Sequence, residues 1–180
     1  MAHEILIAPS SLPISLEEVR SYLRIGTSEE DGILSLFIKS ATDKIENKYH
    51  QALVTRTMRE RFYGPDIQKA FNLAAKANRK AYLRPVFTPV SSMVLVKFFD
   101  EIGAITNAPN GFIKLEDNKF YIDNLAYGIE VDYVCGFGNS AKVPNEYKLL
   151  ILEEIANSIA KRDNEKRENN QNEISKGAQL

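Results

Sequence analysis

The chain is poor in the residue types from which metal, redox and covalent-catalytic sites are usually built. Its one cysteine, Cys135, excludes an internal disulfide and makes a CxxC-type zinc site improbable. The two histidines, His3 and His50, are too few for a histidine-rich metal site. No stretch approaches the roughly 20 apolar residues that cross a bilayer, and the N-terminal segment lacks the pattern of a signal peptide. We therefore expect a soluble protein made in the cytoplasm, without cofactor, metal or membrane partner.

Sequence motifs for catalysis are also missing. The GxG of Gly136-Phe137-Gly138 has no third glycine and leads into a helix rather than a βαβ unit, so a turn explains it better than a dinucleotide site. A cysteine nucleophile would pair Cys135 with His50. Cys135 alternates with inward-facing strand residues, however, where a free cysteine is usually a small buried hydrophobe. The chain is predicted not to be an enzyme, with a Cys135 enzyme kept as an alternative.

Charge is balanced overall but not locally. The chain has 23 basic and 24 acidic residues, whereas residues 53–84 have eight basic and two acidic residues, a local excess of +6. A patterned surface of this kind favours contacts between subunits over uniform binding to DNA. A small DNA-binding or regulatory module that uses the basic segment remains an alternative. The candidate contact residues in this segment are Arg56, Arg59, Arg61, Arg79 and Lys80.

The apolar pattern predicts an α+β fold. Helical spacing predicts helices over 15–25, 29–49 and 145–163, with Ser15 as an N-cap and Gly26 ending the first helix. Residues 53–134 contain several alternating segments separated by turn residues, which indicates an antiparallel meander of four or five strands. On the first strand, Arg59 and Arg61 share one face and Arg56 lies on the other. The expected architecture is a helical bundle, made of an N-terminal hairpin and a C-terminal helix, with an inserted β-region.

Two segments are predicted less specifically. Residues 66–80 are either a short helix or a mobile insertion. Residues 164–180 are almost free of apolar groups, so we expect a polar tail that is mobile unless bound to a partner, or a solvated helical extension. The folded domain would then span 1–163. The candidate contact residues at this end are Arg162, Arg167, Ile174 and Leu180.

The order of motifs is distinctive. The segments 16–24 (LEEVRSYLR), 53–57 (LVTRT) and 133–138 (YVCGFG) follow one another, and Val143-Pro144 comes after them. Together they resemble the head–tail connector, or adaptor, family of tailed double-stranded DNA phages and gene transfer agents, over roughly residues 12–163. Compared with that family, the segment 64–82 and the C-terminal tail are long.

The resemblance implies a structural subunit of the virion neck that is assembled in the cytoplasm of a bacterial host. It implies a homo-oligomeric ring, commonly of twelve copies, beneath the portal protein. Such a ring extends the DNA channel without sequence-specific DNA binding and provides a platform for a stopper or tail-completion protein. The C-terminal helix and tail would face the portal. Replacing Arg59 and Arg61 by glutamate is then expected to block assembly while leaving the monomer folded.

Overall fold

The structure is a computed structural model that describes the backbone of residues 2–177 and the side chains of residues 2–165, 167 and 168. The chain forms two compact units. A sheet unit contains Met1–Ser11 and Glu46–Val143, and a helical unit contains Leu12–Ile45 and Pro144–Leu180. The two helical segments therefore flank the β-region in the sequence, and the predicted α+β class is confirmed.

The helical unit contains α1 (Leu16–Leu23), most of α2 (Asp31–Tyr49) and α4 (Asn145–Gly177). Ser15 and Glu18 form the predicted capping box at the start of α1, which satisfies backbone N–H groups that have no partner inside the helix. Burial of apolar side chains stabilises the unit. Its buried apolar residues are Ile14, Val19, Leu34, Ile38, Ala41, Ile45, Ile151 and Ile155.

The ends of all three helices differ from the sequence prediction. Helix α1 ends at Leu23 because Arg24 adopts a left-handed conformation (φ 57°) and caps the helix, so Gly26 is not the residue that stops it. Helix α2 begins at Asp31 rather than at residue 29. Helix α4 continues to Gly177, since extending an existing helix fixes few torsions for each hydrogen bond gained. The backbone of 164–177 is therefore helical, as the second of the two expectations had it.

The sheet unit contains a five-stranded and a three-stranded antiparallel sheet. The strands are β1 (Ala2–Ile7), β2 (Arg56–Tyr63), β3 (Tyr82–Leu83), β4 (Val90–Phe99), β5 (Ile105–Asn107), β6 (Ile113–Glu116), β7 (Lys119–Ile122) and β8 (Gly128–Cys135). The larger sheet has the order β1-β2-β8-β4-β5 and the smaller one the order β3-β7-β6. A helix, α3 (Gly64–Lys76), follows β2 directly and settles the open choice for residues 66–80 in favour of a helix.

Strand order is where the prediction of a simple meander was wrong. The last strand, β8, lies between β2 and β4, and seven of its eight residues are buried. Its pairing with β2 brings Arg59 opposite Asp132 and Arg61 opposite Glu130. The local alternation of apolar and polar residues does not reveal which of two strands far apart in the sequence will pair. The exposed edge strand β1 was also missed, because a short apolar run next to the terminus gives little periodic signal.

The two sheets of this unit share an aromatic core. The ring of Phe120 lies 6.3 Å from Phe62 and 5.3 Å from Tyr133, both in edge-to-face geometry. After β8, Gly136 and Gly138 have φ values of 118° and 128°, which favour glycine. A Cβ on Gly136 would come within 2.7 Å of the Val54 backbone. The interpretation of the GxG motif as a turn is therefore confirmed.

Candidate interaction surfaces

The three arginines of β2 lie on two faces of the sheet, as their spacing predicted. Arg56 faces the interior and is 7% exposed. Its guanidinium forms an ion pair with the buried carboxylate of Glu46 and lies 5.9 Å from the ring of Phe87. Glu46 also accepts a 2.8 Å hydrogen bond from the backbone N–H of Leu53. The interface role predicted for Arg56 is untested, but its charge is neutralised inside the unit.

Arg59 and Arg61 lie on the opposite face, in a network of ion pairs. Arg59 donates two hydrogen bonds to Asp132, of 2.7 and 2.8 Å, and Arg61 donates one of 2.8 Å to Glu130. Lys97 on β4 also lies 3.5 Å from Glu130. We call these five residues the charged face. The charged hydrogen bonds to Asp132 raise the pKa of Arg59, so it keeps its proton at all ordinary pH values.

The charged face has a covered centre. The side chains of Glu130 and Asp132 are only 4% and 8% exposed, whereas those of Arg59 and Arg61 are 23% and 39% exposed. The basic side chains therefore lie over the two carboxylates and remove them from water. The charges of Arg59 and Arg61 are therefore paired within the chain, as is that of Arg56.

Four of the five other basic residues of this segment line a groove between α3 and β3, and Lys76 does not. The apolar part of its lining, which we call the floor, includes Ala70, Leu73 and Leu83. Four basic side chains and one acidic side chain line it as well, and we call it the basic groove. Its charged lining residues are Asp66, Lys69, Arg79, Lys80 and Arg84.

Tyr82 is the point at which several of these cations meet. The Arg79 and Arg84 guanidinium carbons lie 5.2 and 5.7 Å from its ring centre, and the Lys119 Nζ lies 5.3 Å away. Arg84 also donates a 3.2 Å hydrogen bond to the Tyr82 hydroxyl. This bond and the surrounding positive charges lower the pKa of Tyr82. The cluster fits the recognition of acidic groups.

One ionisable group of the sheet unit is fully buried without an ion pair among the described residues. Glu60 is 0% exposed, and its Oε2 accepts hydrogen bonds of 3.1 Å from both the Val86 N–H and the Tyr133 hydroxyl. Its Oε1 has no hydrogen-bond partner in the described part of the chain. Burial raises the pKa of Glu60 to about 7, since the ionised form loses its hydration.

We expect Glu60→Gln to remove a pH dependence of stability. Below the ordinary pKa of 4.5, Glu60 is protonated in both the folded and the unfolded chain. Between 4.5 and about 7 only the unfolded chain ionises, so the free energy of unfolding falls as pH rises. The variant should gain about 2–3 kcal/mol relative to the natural chain between pH 4 and pH 8. Urea unfolding across this range measures it, with the exposed Glu101→Gln as control, and parallel curves for both proteins would contradict the expectation.

Cys135 is not placed for nucleophilic chemistry. Its side chain is 0% exposed, and burial raises the pKa of the thiol to about 12, so it is protonated at neutral pH. The prediction that Cys135 is a small buried hydrophobe is confirmed. Within the described residues no group of three or more His, Cys, Asp or Glu side chains could hold a metal ion. Among the helices described, none is long and apolar enough to cross a membrane.

The candidate contact residues of the C-terminal helix are described only in part. Arg162 forms an ion pair of 3.3 Å with Glu30 and one of 3.0 Å with Asp163, and its side chain is 19% exposed. Arg167 is exposed. The side chain of Ile174 and all of Leu180 lie outside the described residues. The interface role of these four residues stays a prediction.

Several residues of these surfaces were missed from the sequence. Glu130 and Asp132 were predicted only to lie in the β-region, although they are the partners of Arg59 and Arg61. The alternation of side chains along β2 and β8 was visible in the sequence. The register that pairs the two strands was not visible there. Tyr82 and Lys119 belong to strands β3 and β7, whose pairing brings them together.

The surfaces found among the described residues are the charged face and the basic groove, and neither is a set of reacting groups. A family model for phage gp6-like head-tail connector proteins matches residues 13–81. This match confirms over that segment the resemblance inferred from the motifs. A comparison with curated protein sequences finds no match.

Solved structures extend the comparison to the fold of nearly the whole chain. A chain from the neck of an empty GTA particle, computed with C6 symmetry, has a TM-score of 0.68 and 19% identity, covering 87% of this chain and 83% of that one. A chain from the virion of a native gene transfer agent (GTA) particle has a TM-score of 0.67 and 19% identity, covering 89% and 84%. A chain from the neck of a native GTA particle, computed with C12 symmetry, has a TM-score of 0.66 and 17% identity, covering 89% and 84%. The chain shares its fold with these neck and virion proteins.

Proposed function

We propose that the protein is a non-catalytic head–tail connector subunit of a virion or virion-like particle. It acts as a ring of identical copies, twelve by the resemblance, beneath the portal protein. The ring lies in the neck, continues the DNA channel and provides the surface on which a stopper or tail-completion protein docks. DNA passes through its lumen without being read. Assembly takes place in the cytoplasm of the bacterial host.

The observation that carries this proposal is the fold match to neck chains over most of both chains. The family-model match supports it independently, because it rests on sequence and covers parts of both units. The symmetries of the matched neck structures, C6 and C12, are compatible with twelve copies.

Mixing the full chain with its cognate portal protein and imaging the particles by electron microscopy tests the proposal. The expected result is a ring of this chain stacked coaxially on the portal, with an open central channel. The same mixture prepared without portal, and portal alone, are the controls. A chain that stays monomeric and leaves the portal bare at concentrations of tens of micromolar would overturn the proposal.

The alternative of a DNA-binding module is weakened by the fate of three basic residues. Arg56, Arg59 and Arg61 are held by carboxylates of the same chain. Binding of phosphates by those arginines would require breaking these ion pairs. A gel shift with duplex DNA at low and high salt distinguishes the functions, since phosphate binding weakens steeply with salt. A tight, salt-sensitive shift by the chain would favour the alternative.

A further inference from the structure

The hairpin between β4 and β5 presents an apolar residue at an acidic tip. Ile102 is 91% exposed, the highest value among the exposed large hydrophobic residues of the described chain. It follows Asp100 and the exposed Glu101. Burial of a side chain of this size contributes about 1.5–3 kcal/mol, and this energy is available if the tip binds an apolar surface.

The tip is held in shape by its own hydrogen bonds. The Oδ1 atom of Asp100 accepts bonds from the backbone N–H groups of Ile102 (3.0 Å) and Ala104 (2.9 Å). Gly103 completes the turn with a φ of 84° and donates its N–H to the Asp100 carbonyl at 3.1 Å. A tip ordered in this way loses little conformational entropy when it binds.

The basic groove has the opposite character. Its floor is apolar and includes Leu73, which is 50% exposed, and basic side chains surround the floor. An occupant that matches the groove needs one apolar side chain for the floor and a carboxylate for the surrounding cations. The hairpin tip supplies both, with Ile102 and Glu101. Because Ile102 is almost fully exposed, the tip does not occupy the groove of its own chain.

We propose that the hairpin tip, Asp100–Gly103, of one copy docks in the basic groove of the next copy. Ile102 contacts Leu73 and the floor, and Glu101 pairs with Arg79 or Lys80. This inference rests on the proposed function and assigns the subunit contact of its ring. The tip and the groove are different surfaces of one chain, so the contact is head-to-tail and repeats until a ring closes.

DNA fits the groove less well than a second copy does. Duplex DNA has phosphates for the cations, but its apolar groups, such as the thymine methyl, lie within the grooves and do not protrude as an apolar side chain does. The tip, in turn, carries acidic groups that repel DNA. The charge and apolar complementarity between two surfaces of the same chain therefore favours self-association.

Disulfide trapping tests the contact. The chain carrying Ile102→Cys and Leu73→Cys, mixed with its portal protein and oxidised with glutathione disulfide, should give a ladder of covalent oligomers on a non-reducing gel. The buried Cys135 does not take part. A matched control replaces Leu73→Cys by Leu149→Cys, since Leu149 is 49% exposed and lies on α4. Each single cysteine variant controls for tip-to-tip and groove-to-groove dimers.

The outcomes separate this inference from the proposed function. Rings on the portal without a ladder would overturn the hairpin contact and leave the connector function standing. A ladder without portal-bound rings would leave the contact standing and overturn the connector function. The absence of both would overturn both. A ladder of equal yield in the Leu149→Cys control would count against the groove as the specific site.

Substitutions that remove the apolar side chain or reverse the charges of the contact provide a second test that needs no new cysteine. Ile102→Ser should weaken self-association about 10- to 100-fold. Glu101→Lys, and separately Arg79→Glu with Lys80→Glu, should each weaken it about 10-fold or more, because like charges then meet. Combining Glu101→Lys with the groove reversal should restore much of the loss. Sedimentation velocity measures the association, and additive loss in the combined variant would overturn the assigned pairing.

Discussion

Replacing Arg56 by methionine is expected to lower the free energy of unfolding by about 3–5 kcal/mol, because it leaves the Glu46 carboxylate buried without its cation. The two side chains are only 8% and 4% exposed, so water cannot replace the lost partner. Methionine fills a similar volume, which limits the contribution of an empty cavity. The Leu53 N–H still reaches Glu46, but a neutral donor does not offset the loss of an ion pair.

A double variant separates the charge from the packing. Arg56→Met combined with Glu46→Gln removes both charges and keeps an acceptor for Leu53, so it should recover more than half of the loss. Urea unfolding at pH 7, followed by the near-ultraviolet circular dichroism of the tyrosines, measures all three variants. Arg84→Met is the control, since Arg84 is exposed and its loss should change the stability by less than about 1 kcal/mol. A double variant as unstable as the single one would contradict the buried ion pair as the cause.

The placement of the three β2 arginines shows what local sequence can and cannot determine. Strand periodicity alone places Arg59 and Arg61 on one face and Arg56 on the other, and the structure agrees. It does not say which face is buried or what each arginine meets. The partners Glu46, Glu130 and Asp132 lie 10, 69 and 73 residues away from the arginines that they bind. The contacts with Glu130 and Asp132 depend on the position of β8 between β2 and β4, which is a property of the whole sheet.

Helix boundaries show a related limit. The capping box at Ser15 was predictable because both of its partners lie within one turn. The end of α1 at Leu23 was not predictable, because Arg24 takes the left-handed conformation that is usually expected of glycine. Helix α4 continues into residues whose polarity did not decide between a mobile tail and a helical extension. In each case the missed feature depends on neighbouring structure and not on the residue type alone.

The candidate surfaces divide in the same way. The excess of basic residues in 53–84 was visible in the sequence, and it correctly marked a region with unusual electrostatics. The sequence does not show that three of these arginines are paired within the chain, or that other basic residues line a groove with an apolar floor. Both features follow from β2, β8 and α3 together. The exposed tip at Ile102 was read only as a turn. Of the contact residues predicted in this segment, our proposal keeps Arg79 and Lys80 in the groove and leaves out Arg56, Arg59 and Arg61.

The second large effect is expected for Arg59→Glu combined with Arg61→Glu, and it differs from what the sequence suggested. The two new carboxylates would lie opposite Asp132 and Glu130, whose side chains are 8% and 4% exposed. Removing the partner of a buried charge costs about 3–5 kcal/mol, and placing a like charge there adds to the loss. The double variant should therefore unfold or lose most of its stability as a monomer, before assembly is reached.

Compensation on β8 identifies the cause. Adding Glu130→Arg and Asp132→Arg to the double variant rebuilds the ion pairs in the opposite sense, and it should restore most of the midpoint of urea unfolding. Reversing Arg79 and Lys80 to glutamate is the matched control, since both are exposed; it should leave the monomer stable and weaken only self-association. If Arg59→Glu with Arg61→Glu gave a monomer of natural stability, the charged face would be a surface reserved for partners. If that variant is unstable, and the groove reversal is stable but self-associates weakly, the contacts of the ring depend on the groove and the charged face stabilises the sheet.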